Sequence, residues 1–285
     1  MRCLIIGGDG LLGRAARERL TEAGVDCYFT SRRLSARGSD RCLYLDLADI
    51  RGFELQFTPD LVLLLAGAGS MLKCEEQVKY TYKVNVTNTV ALAARFKNQG
   101  AFVVFPSTTA VFDGETPAPI EGSPVSYTTE YGRQKAIAEQ QLLALDPDAR
   151  RIAVIRLTKV ASSSMLPFAA FLSSFRNRSY CEAFSDLMLS PISVPYALDA
   201  FVEAFRQHVG GLLHLSGEEE LSYVDFARRL AMANGLDAKL VIPVHSSEKG
   251  VNLLYKPRHP MLGMSGTSER LGVFPEPLTL SVARI

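Results

Sequence analysis

The stretch RCLIIGGDGLLGRAARERL (residues 2–20) decides the fold that the sequence predicts. Its apolar run CLII is typical of a buried strand, and the periodic pattern after it indicates a helix from about Leu12 to Ala23. Four glycines join the two: Gly7, Gly8, Gly10 and Gly13. They satisfy both G-x-G-x-x-G and G-x-x-G-x-x-G, spacings that bring backbone amides and a helix N-terminus close to a pyrophosphate. The stretch predicts a dinucleotide site, with a purely structural glycine turn as the alternative.

The rest of the first half repeats this alternation of strand and helix. Runs that are apolar on both faces are DCYFT, CLYL, LVLLLA, AFVVFPS and RIAVIRL, with helices predicted over about 75–97 and 130–143. This pattern predicts an α/β fold with a Rossmann-type doubly wound parallel sheet. Beyond residue 156 the alternation loosens, so we expect a smaller C-terminal substrate-binding lobe. The predicted domains are a dinucleotide-binding domain over 1–157 and 191–215 and the smaller lobe over 158–190 and 216–285.

Composition excludes several classes of function. Thirty-one Lys and Arg residues against thirty Asp and Glu give the 285-residue chain a net charge of +1, so we expect no nucleic-acid or membrane partner. The five cysteines are scattered and odd in number, which favours reduced thiols in a cytoplasmic protein over disulfides or zinc. The four histidines are scattered too, so no metal site is predicted, and no apolar run is long enough to span a bilayer.

The end of the second predicted strand indicates which dinucleotide is bound. NAD sites usually carry an acidic residue there for the ribose 2′-hydroxyl, whereas this chain reads YFTSRR, with Ser31, Arg32 and Arg33. Because a guanidinium suits a 2′-phosphate, NADP(H) is predicted in preference to NAD(H). Arginines that only coat a solvated loop are the alternative. Asp46, after the third strand, could accept from the adenine amine or cap the following turn.

The helix that begins EYGRQK carries Tyr131 and Lys135, which share one face because they are four residues apart. An ammonium beside a phenol lowers the tyrosine pKa from its usual value of about 10, which would make Tyr131 an acid or base near neutrality. A half-buried tyrosine with a solvated lysine is the alternative. In AFVVFPSTTAVFDG, three hydroxyls, Ser107, Thr108 and Thr109, end a strand, where open parallel sheets bind ligands.

These features together resemble the extended short-chain dehydrogenase/reductase superfamily, and within it the dTDP-4-dehydrorhamnose reductase-like branch of nucleotide-sugar enzymes. The resemblance rests on the glycine loop, STTAVFDG (107–114), YGRQK (131–135) and NVTNT (85–89). LLHLSGEEELSYVDFARRLA (212–231) and KPRHPML (256–262) extend it over nearly the whole chain.

The resemblance implies a Ser/Thr, Tyr, Lys triad, which falls on Thr108, Tyr131 and Lys135. Tyr131 would donate a proton to the sugar carbonyl, Lys135 would hold the nicotinamide ribose, and Thr108 would orient the sugar oxygen. The residues expected to bind NADP(H), or NAD(H) as the second choice, are Gly7, Gly10, Leu11, Leu12, Gly13, Ser31, Arg32, Arg33, Asp46, Leu47, Ala66, Gly67, Tyr131 and Lys135.

The chain also departs from the family it resembles. Dehydratases of the family carry Asp-Glu where Thr109 and Ala110 stand here, so elimination of water is disfavoured. The reductases usually read R-T-x-W-V-Y where this chain reads RLTKVAS, which places Lys159 in the expected substrate region. Other candidates for the substrate diphosphate are Arg176 and Lys256; a surface lysine or arginine is the alternative in each case.

The expected function is NADP(H)-dependent reduction of a nucleotide-linked keto sugar. A nucleotide-sugar epimerase with the same triad and a non-catalytic NADP-binding regulatory subunit are the two alternatives. A homodimer is compatible with each of these functions.

Overall fold

The computed structural model describes residues 1–33 and 40–284. By their contacts the residues form two compact units. The first comprises Met1–Val111, Val125–Arg156 and Leu198–Leu213, and the second comprises Phe112–Pro124, Leu157–Ala197 and His214–Ile285. The domain boundaries drawn from the sequence stay a prediction.

The first unit is built on a seven-stranded parallel sheet. Its strands are β1 (Arg2–Ile6), β2 (Asp26–Ser31), β3 (Cys42–Tyr44), β4 (Leu61–Leu64), β5 (Phe102–Thr108), β6 (Ile152–Leu157) and, later in the chain, β11 (Gly211–Leu215). Their spatial order is β11-β6-β5-β4-β1-β2-β3. The order reverses direction at β1, which pairs in parallel with β2 on one side and β4 on the other. This is the arrangement of a Rossmann-type sheet, so the predicted fold class is confirmed.

The helices of the first unit include α1 (Leu11–Glu22), α5 (Glu130–Leu145) and, from Leu198 onward, α7 (Val194–Gln207). The helix expected over residues 75–97 is instead a chain of pieces: α2 (Met71–Glu76), α3 (Val78–Tyr82), a π-helical turn (Lys83–Asn88) and α4 (Thr89–Asn98). The backbone of Gln77 (φ −127°, ψ 49°) separates α2 from α3. The expected continuous helix is therefore wrong, and the π-helical turn in its place contains the buried Asn85.

Close backbone approach explains two glycines of the loop between β1 and α1. Gly7 has φ +98°, and a Cβ there would lie 2.7 Å from the backbone nitrogen of Ala66. A Cβ on Gly13 would lie 2.1 Å from the Gly7 carbonyl oxygen. Since real Cβ atoms do not approach so closely, α1 can meet the end of β1 only with glycine at these positions.

The second unit pairs its short strands two by two. β7 (Lys159–Ala161) runs parallel to β10 (Pro191–Ser193), β8 (Cys181–Phe184) parallel to β13 (Val241–Val244), and β9 (Met188–Leu189) antiparallel to β12 (Leu221–Ser222). The helices are α6 (Phe168–Arg176), α8 (Tyr223–Ala233), α9 (Ser265–Leu271) and α10 (Leu278–Ala283). Its core is formed largely by aromatic and leucine side chains such as Phe168, Phe171, Phe226 and Leu230. Among the described residues, no helix has the length and apolarity needed to cross a bilayer.

Candidate functional site

The glycine loop is held by the end of β2. The Gly7 amide donates to Thr30 Oγ1 and the Gly8 amide to the Thr30 carbonyl, each at 3.0 Å. Helix α1 begins at Leu11 after Gly10, and within the described residues no side chain caps it. The backbone amides of its first turn are therefore available to donate hydrogen bonds to an anion. A pyrophosphate binds to such amides at a helix N-terminus.

Most of the predicted cofactor residues border one cavity of about 730 Å³ in the first unit. The predicted residues that line it are Gly7, Gly10, Ser31, Arg32, Arg33, Asp46, Leu47, Ala66 and Gly67. Leu11 and Leu12 form the half-buried first turn of α1, and Gly13 lies behind the loop against Gly7. The carboxyl ends of β1, β2 and β4 thus bring together residues that are far apart in the sequence. Size and lining fit a dinucleotide.

The polar end of this cavity contains two arginines and two carboxylates. Arg32 Nη1 lies 4.0 Å from Asp46 Oδ1, and Arg33 Nε lies 4.0 Å from Asp9 Oδ2. Both arginine side chains are mostly exposed, so they can turn toward a ligand. Asp46 Oδ1 also accepts from the Ala48 amide at 2.9 Å, which caps the following turn as the second interpretation of Asp46 predicted.

The loop after β4 is held by Asn85, whose role the sequence did not predict. Asn85 Oδ1 accepts from the Ala68 amide at 2.7 Å, and Asn85 Nδ2 donates to the Ala68 carbonyl at 3.1 Å and to Gln134 Oε1 at 2.9 Å. Asn85 is buried and lies in the π-helical turn, a feature common at functional sites. It thereby connects a wall of the cavity, at Ala66 and Gly67, to helix α5. A buried asparagine inside an apolar helical pattern was the available signal.

Tyr131 and Thr108 are brought together at the start of α5. Thr129 caps this helix by accepting from the Gly132 amide at 3.0 Å. A Cβ on Gly132 would lie 2.1 Å from the Ala110 carbonyl, so glycine lets the helix sit directly on the turn that follows β5. Thr108 Oγ1 accepts from the Ala110 amide at 3.1 Å, and the Thr108 side chain lies close enough to the Tyr131 phenol to lower its pKa.

Lys135 contacts strand β5 rather than the phenol. Its Nζ donates to the Pro106 carbonyl at 2.7 Å and lies 3.7 Å from the centroid of the Phe105 ring. Burial lowers the Lys135 pKa to about 7, and the nearby Glu139 carboxylate partly opposes this shift. Glu139 itself is buried in an ion pair with Arg156, with 2.7 Å between Oε2 and Nη2.

The expected effect of Lys135 on the tyrosine is wrong. The pKa of Tyr131 is raised to about 12, first by burial and then by the charge that Cys74 carries when it ionises, while the Thr108 side chain opposes the shift. The physical reason is that four-residue spacing places two side chains on one face without making them touch. Lys135 instead bonds to a backbone carbonyl.

Ser107, next to Thr108, supplies one further observation. Its hydroxyl oxygen is buried and has no hydrogen-bond partner among the described residues. Such a group is costly unless something bonds to it, so its presence at the carboxyl end of β5 fits a bound ligand.

Of the four residues predicted to bind substrate, Thr108 lies in the first unit and the other three lie in the second. Lys159 begins β7 and is half-buried, and burial lowers its pKa. Arg176 ends α6 and is exposed. Lys256 is exposed and its ammonium is paired with Asp186 at 2.5 Å, so it would have to leave this carboxylate to meet a diphosphate. Among the described residues, no group of three or more His, Cys, Asp or Glu side chains could hold a metal ion.

The glycine loop, the cavity and the sheet order define a Rossmann-type protein of the dinucleotide-binding kind. The family model described as RmlD substrate binding domain matches residues 1–285, and the chain belongs to that family. The resemblance noted in the sequence is thereby confirmed.

Three similar proteins illustrate the range of this family. The chain is 24% identical to the spore coat polysaccharide biosynthesis protein SpsK of Bacillus subtilis, over 94% of this chain and 91% of that protein. It is also 24% identical to methionine adenosyltransferase 2 subunit beta of Xenopus laevis, over 95% of this chain and 83% of that protein. Among solved structures, the dTDP-4-dehydrorhamnose reductase of Bacillus anthracis in complex with NADP superposes with a TM-score of 0.83 at 19% identity, covering 99% of this chain and 97% of that one. At this identity, the structural likeness shows the fold alone.

Proposed function

We propose that the protein is an NADP(H)-dependent reductase of a nucleotide-linked 4-keto sugar. The observation that carries this proposal is the arrangement of Thr108, Tyr131 and Lys135 at the carboxyl end of β5, where Thr108 lies close enough to the Tyr131 phenol to lower its pKa and Lys135 Nζ bonds to the Pro106 carbonyl. The substrate class is supported by the name of a similar protein, the dTDP-4-dehydrorhamnose reductase of Mycolicibacterium smegmatis, which is 26% identical over 86% of this chain and 73% of that protein.

The chain's own groups have separate tasks in this reaction. The reduced dinucleotide, when bound, would supply the hydride for the sugar carbonyl. Tyr131 donates its phenolic proton to the carbonyl oxygen, and its high pKa keeps it protonated and ready to donate at neutral pH. Thr108 orients the phenol and the sugar oxygen. Lys135, on α5 with its ammonium bonded to the Pro106 carbonyl of β5, would hold a ribose hydroxyl.

Arg32 and Arg33 support the choice of NADP(H), with NAD(H) as the second dinucleotide. Both line the cavity beside the end of β2, where the 2′ group of a dinucleotide is read. Gly7, Gly10 and Gly13 would cradle the pyrophosphate, with Leu11 and Leu12 in the first turn of α1. Ala66 and Gly67 would line the path toward the nicotinamide, and Asp46 and Leu47 would face the adenine.

A non-catalytic role is the second candidate. The similarity to methionine adenosyltransferase 2 subunit beta favours it, since that protein is named as a subunit of another enzyme. The absence of the aromatic residue expected in RLTKVAS (156–162) points the same way.

Turnover separates the two candidates. Purified protein is mixed with NADPH and a dTDP-4-keto-6-deoxy sugar, with NADH in parallel, and dinucleotide oxidation is followed by absorbance. The proposal predicts catalytic oxidation with NADPH as the better donor. Binding of NADPH without reduction of any nucleotide-linked keto sugar would contradict the reductase and favour the binding subunit.

A cytoplasmic location and a homodimer stay proposals. Cys3, Cys27, Cys74 and Cys181 form no disulfide in the part of the chain that the structure describes, which supports a reducing compartment. Light scattering of the purified chain would test the homodimer by its mass.

A further inference from the structure

The glycine loop carries a carboxylate that the proposed function leaves unused. Asp9 stands between Gly8 and Gly10 and lines the same cavity as Arg32 and Arg33. Its side chain is 30% exposed, so a ligand in the cavity can reach it.

The position of Asp9 is fixed by the end of β2. The Ser31 hydroxyl donates to Asp9 Oδ2 at 2.6 Å, and its oxygen accepts from the Arg33 amide at 2.9 Å. Ser31 is buried, and its hydroxyl proton is used to hold the carboxylate. Short hydrogen bonds to an ionised oxygen are among the strong ones. Asp9 Oδ1 has no hydrogen-bond partner among the described residues, so it remains available as an acceptor.

The end of β2 is where a Rossmann-type site reads the ribose 2′ group. An acidic residue there accepts from a 2′-hydroxyl, and an arginine accommodates a 2′-phosphate. In this chain the arginines follow the strand while the carboxylate comes from the glycine loop. Arg33 Nε lies 4.0 Å from Asp9 Oδ2. The carboxylate that suits a 2′-hydroxyl and the guanidinium that suits a 2′-phosphate therefore lie side by side.

We propose that Asp9 is the specificity-determining residue for the dinucleotide. Its free oxygen accepts from the 2′-hydroxyl of NAD(H), and its charge opposes the 2′-phosphate of NADP(H). The chain therefore binds both dinucleotides. With Asp9 present, the ratio of the affinity for NADP(H) to that for NAD(H) is smaller than Arg32 and Arg33 alone would make it. This rests on the dinucleotide site of the proposed function, and it needs no assumption about the sugar.

The test is direct binding of NADPH and NADH, measured by titration calorimetry without any sugar. Asp9→Asn removes the charge and keeps an oxygen for Ser31. We expect the dissociation constant for NADPH to fall by about threefold to tenfold, while that for NADH rises by about twofold to fivefold. Asp9→Ala serves as a second variant and should shift the ratio of the two constants in the same direction.

Glu22→Gln is the matched control, because it makes the same charge change on an exposed residue in the last turn of α1. It should leave the ratio of the two constants unchanged. The role assigned to Asp9 would be overturned if both Asp9 variants left the ratio of the two constants unchanged or shifted it in favour of NADH binding. The proposed function would then still stand. A wild-type protein that binds neither dinucleotide would overturn both.

Discussion

The predicted site residues of the first unit and those of the second are held by different kinds of contact. In the first unit, Tyr131 and Lys135 lie on a helix seated by Gly132, and Lys135 bonds to the backbone of β5. In the second unit, Lys256 is exposed and bonds to one carboxylate, and Arg176 is exposed at a helix end. Buried contacts fix a group for one chemical task, whereas exposed ones let it exchange partners. Under the proposed function, we therefore expect the chemistry at Tyr131 and Lys135 in the first unit, and we expect Arg176 and Lys256 in the second unit to vary with the substrate.

The largest effect on stability is expected at the buried ion pair beneath the site. Arg156→Met would leave Glu139 buried without its partner, so the free energy of unfolding should fall by about 3–5 kcal/mol. Urea denaturation measures it. The double variant Glu139→Gln with Arg156→Met should recover much of the loss, since no unpaired charge remains. If the free energy of unfolding of the single variant falls by less than about 1 kcal/mol, this ion pair is no stronger than an exposed one. The contrast between buried contacts in the first unit and exposed contacts in the second would then be wrong.

A somewhat smaller loss is expected at the glycine loop. Gly13→Ala places a methyl group 2.1 Å from the Gly7 carbonyl oxygen, so the loop must move. The free energy of unfolding should fall by about 2–3 kcal/mol, and NADPH binding should be lost. Gly122→Ala is the control, because a Cβ there meets nothing within 4 Å. Unchanged NADPH affinity in Gly13→Ala would show that the loop does not carry the pyrophosphate.

The pH dependence of stability tests whether burial lowers the pKa of Lys135. Its folded-state pKa is about 7, below the usual value of about 10.4, so the unfolded chain binds more protons between these values. The cost of burying Lys135 is therefore full below pH 7 and is relieved as the pH rises toward 10. Wild type should gain stability over this range relative to Lys135→Met, measured by urea denaturation at several pH values. Parallel curves for the two proteins would show that Lys135 keeps its ordinary pKa.

The smallest effect is expected in the second unit. Lys256→Met removes the pair between the exposed lysine and the largely buried Asp186 carboxylate, which keeps its hydrogen bonds from the Ser246 amide and hydroxyl. The free energy of unfolding should therefore change by less than about 1 kcal/mol. If Lys256 binds the substrate diphosphate, the variant should raise KM and leave kcat nearly unchanged. Lys249→Met, which breaks the exposed pair with Glu182, is a matched control that should leave KM unchanged. A large fall in kcat would place chemistry in the second unit.

Sheet geometry made much of the dinucleotide site predictable from the sequence. Residues at the carboxyl ends of parallel strands meet at one edge, so Gly7, Ser31, Asp46 and Ala66 could be grouped from their places after the predicted strands. Asn85 was missed because a π-helical turn depends on tertiary contacts that periodicity does not record.

The wrong pKa expectation for Tyr131 has the same origin. Spacing gives the face of a helix but not the burial around a phenol or the direction of a lysine. The segment after β6 was least predictable, since its short strands pair with residues far along the chain.

Replacing Tyr131 by phenylalanine tests the central claim most directly, because it removes the proton donor with little change of shape. The measurement is the rate of NADPH oxidation with a nucleotide-linked keto sugar, beside NADPH affinity, for wild type and Tyr131→Phe. The account predicts a rate reduced by about a hundredfold to ten-thousandfold, with affinity retained. Equal rates in the two proteins would contradict it.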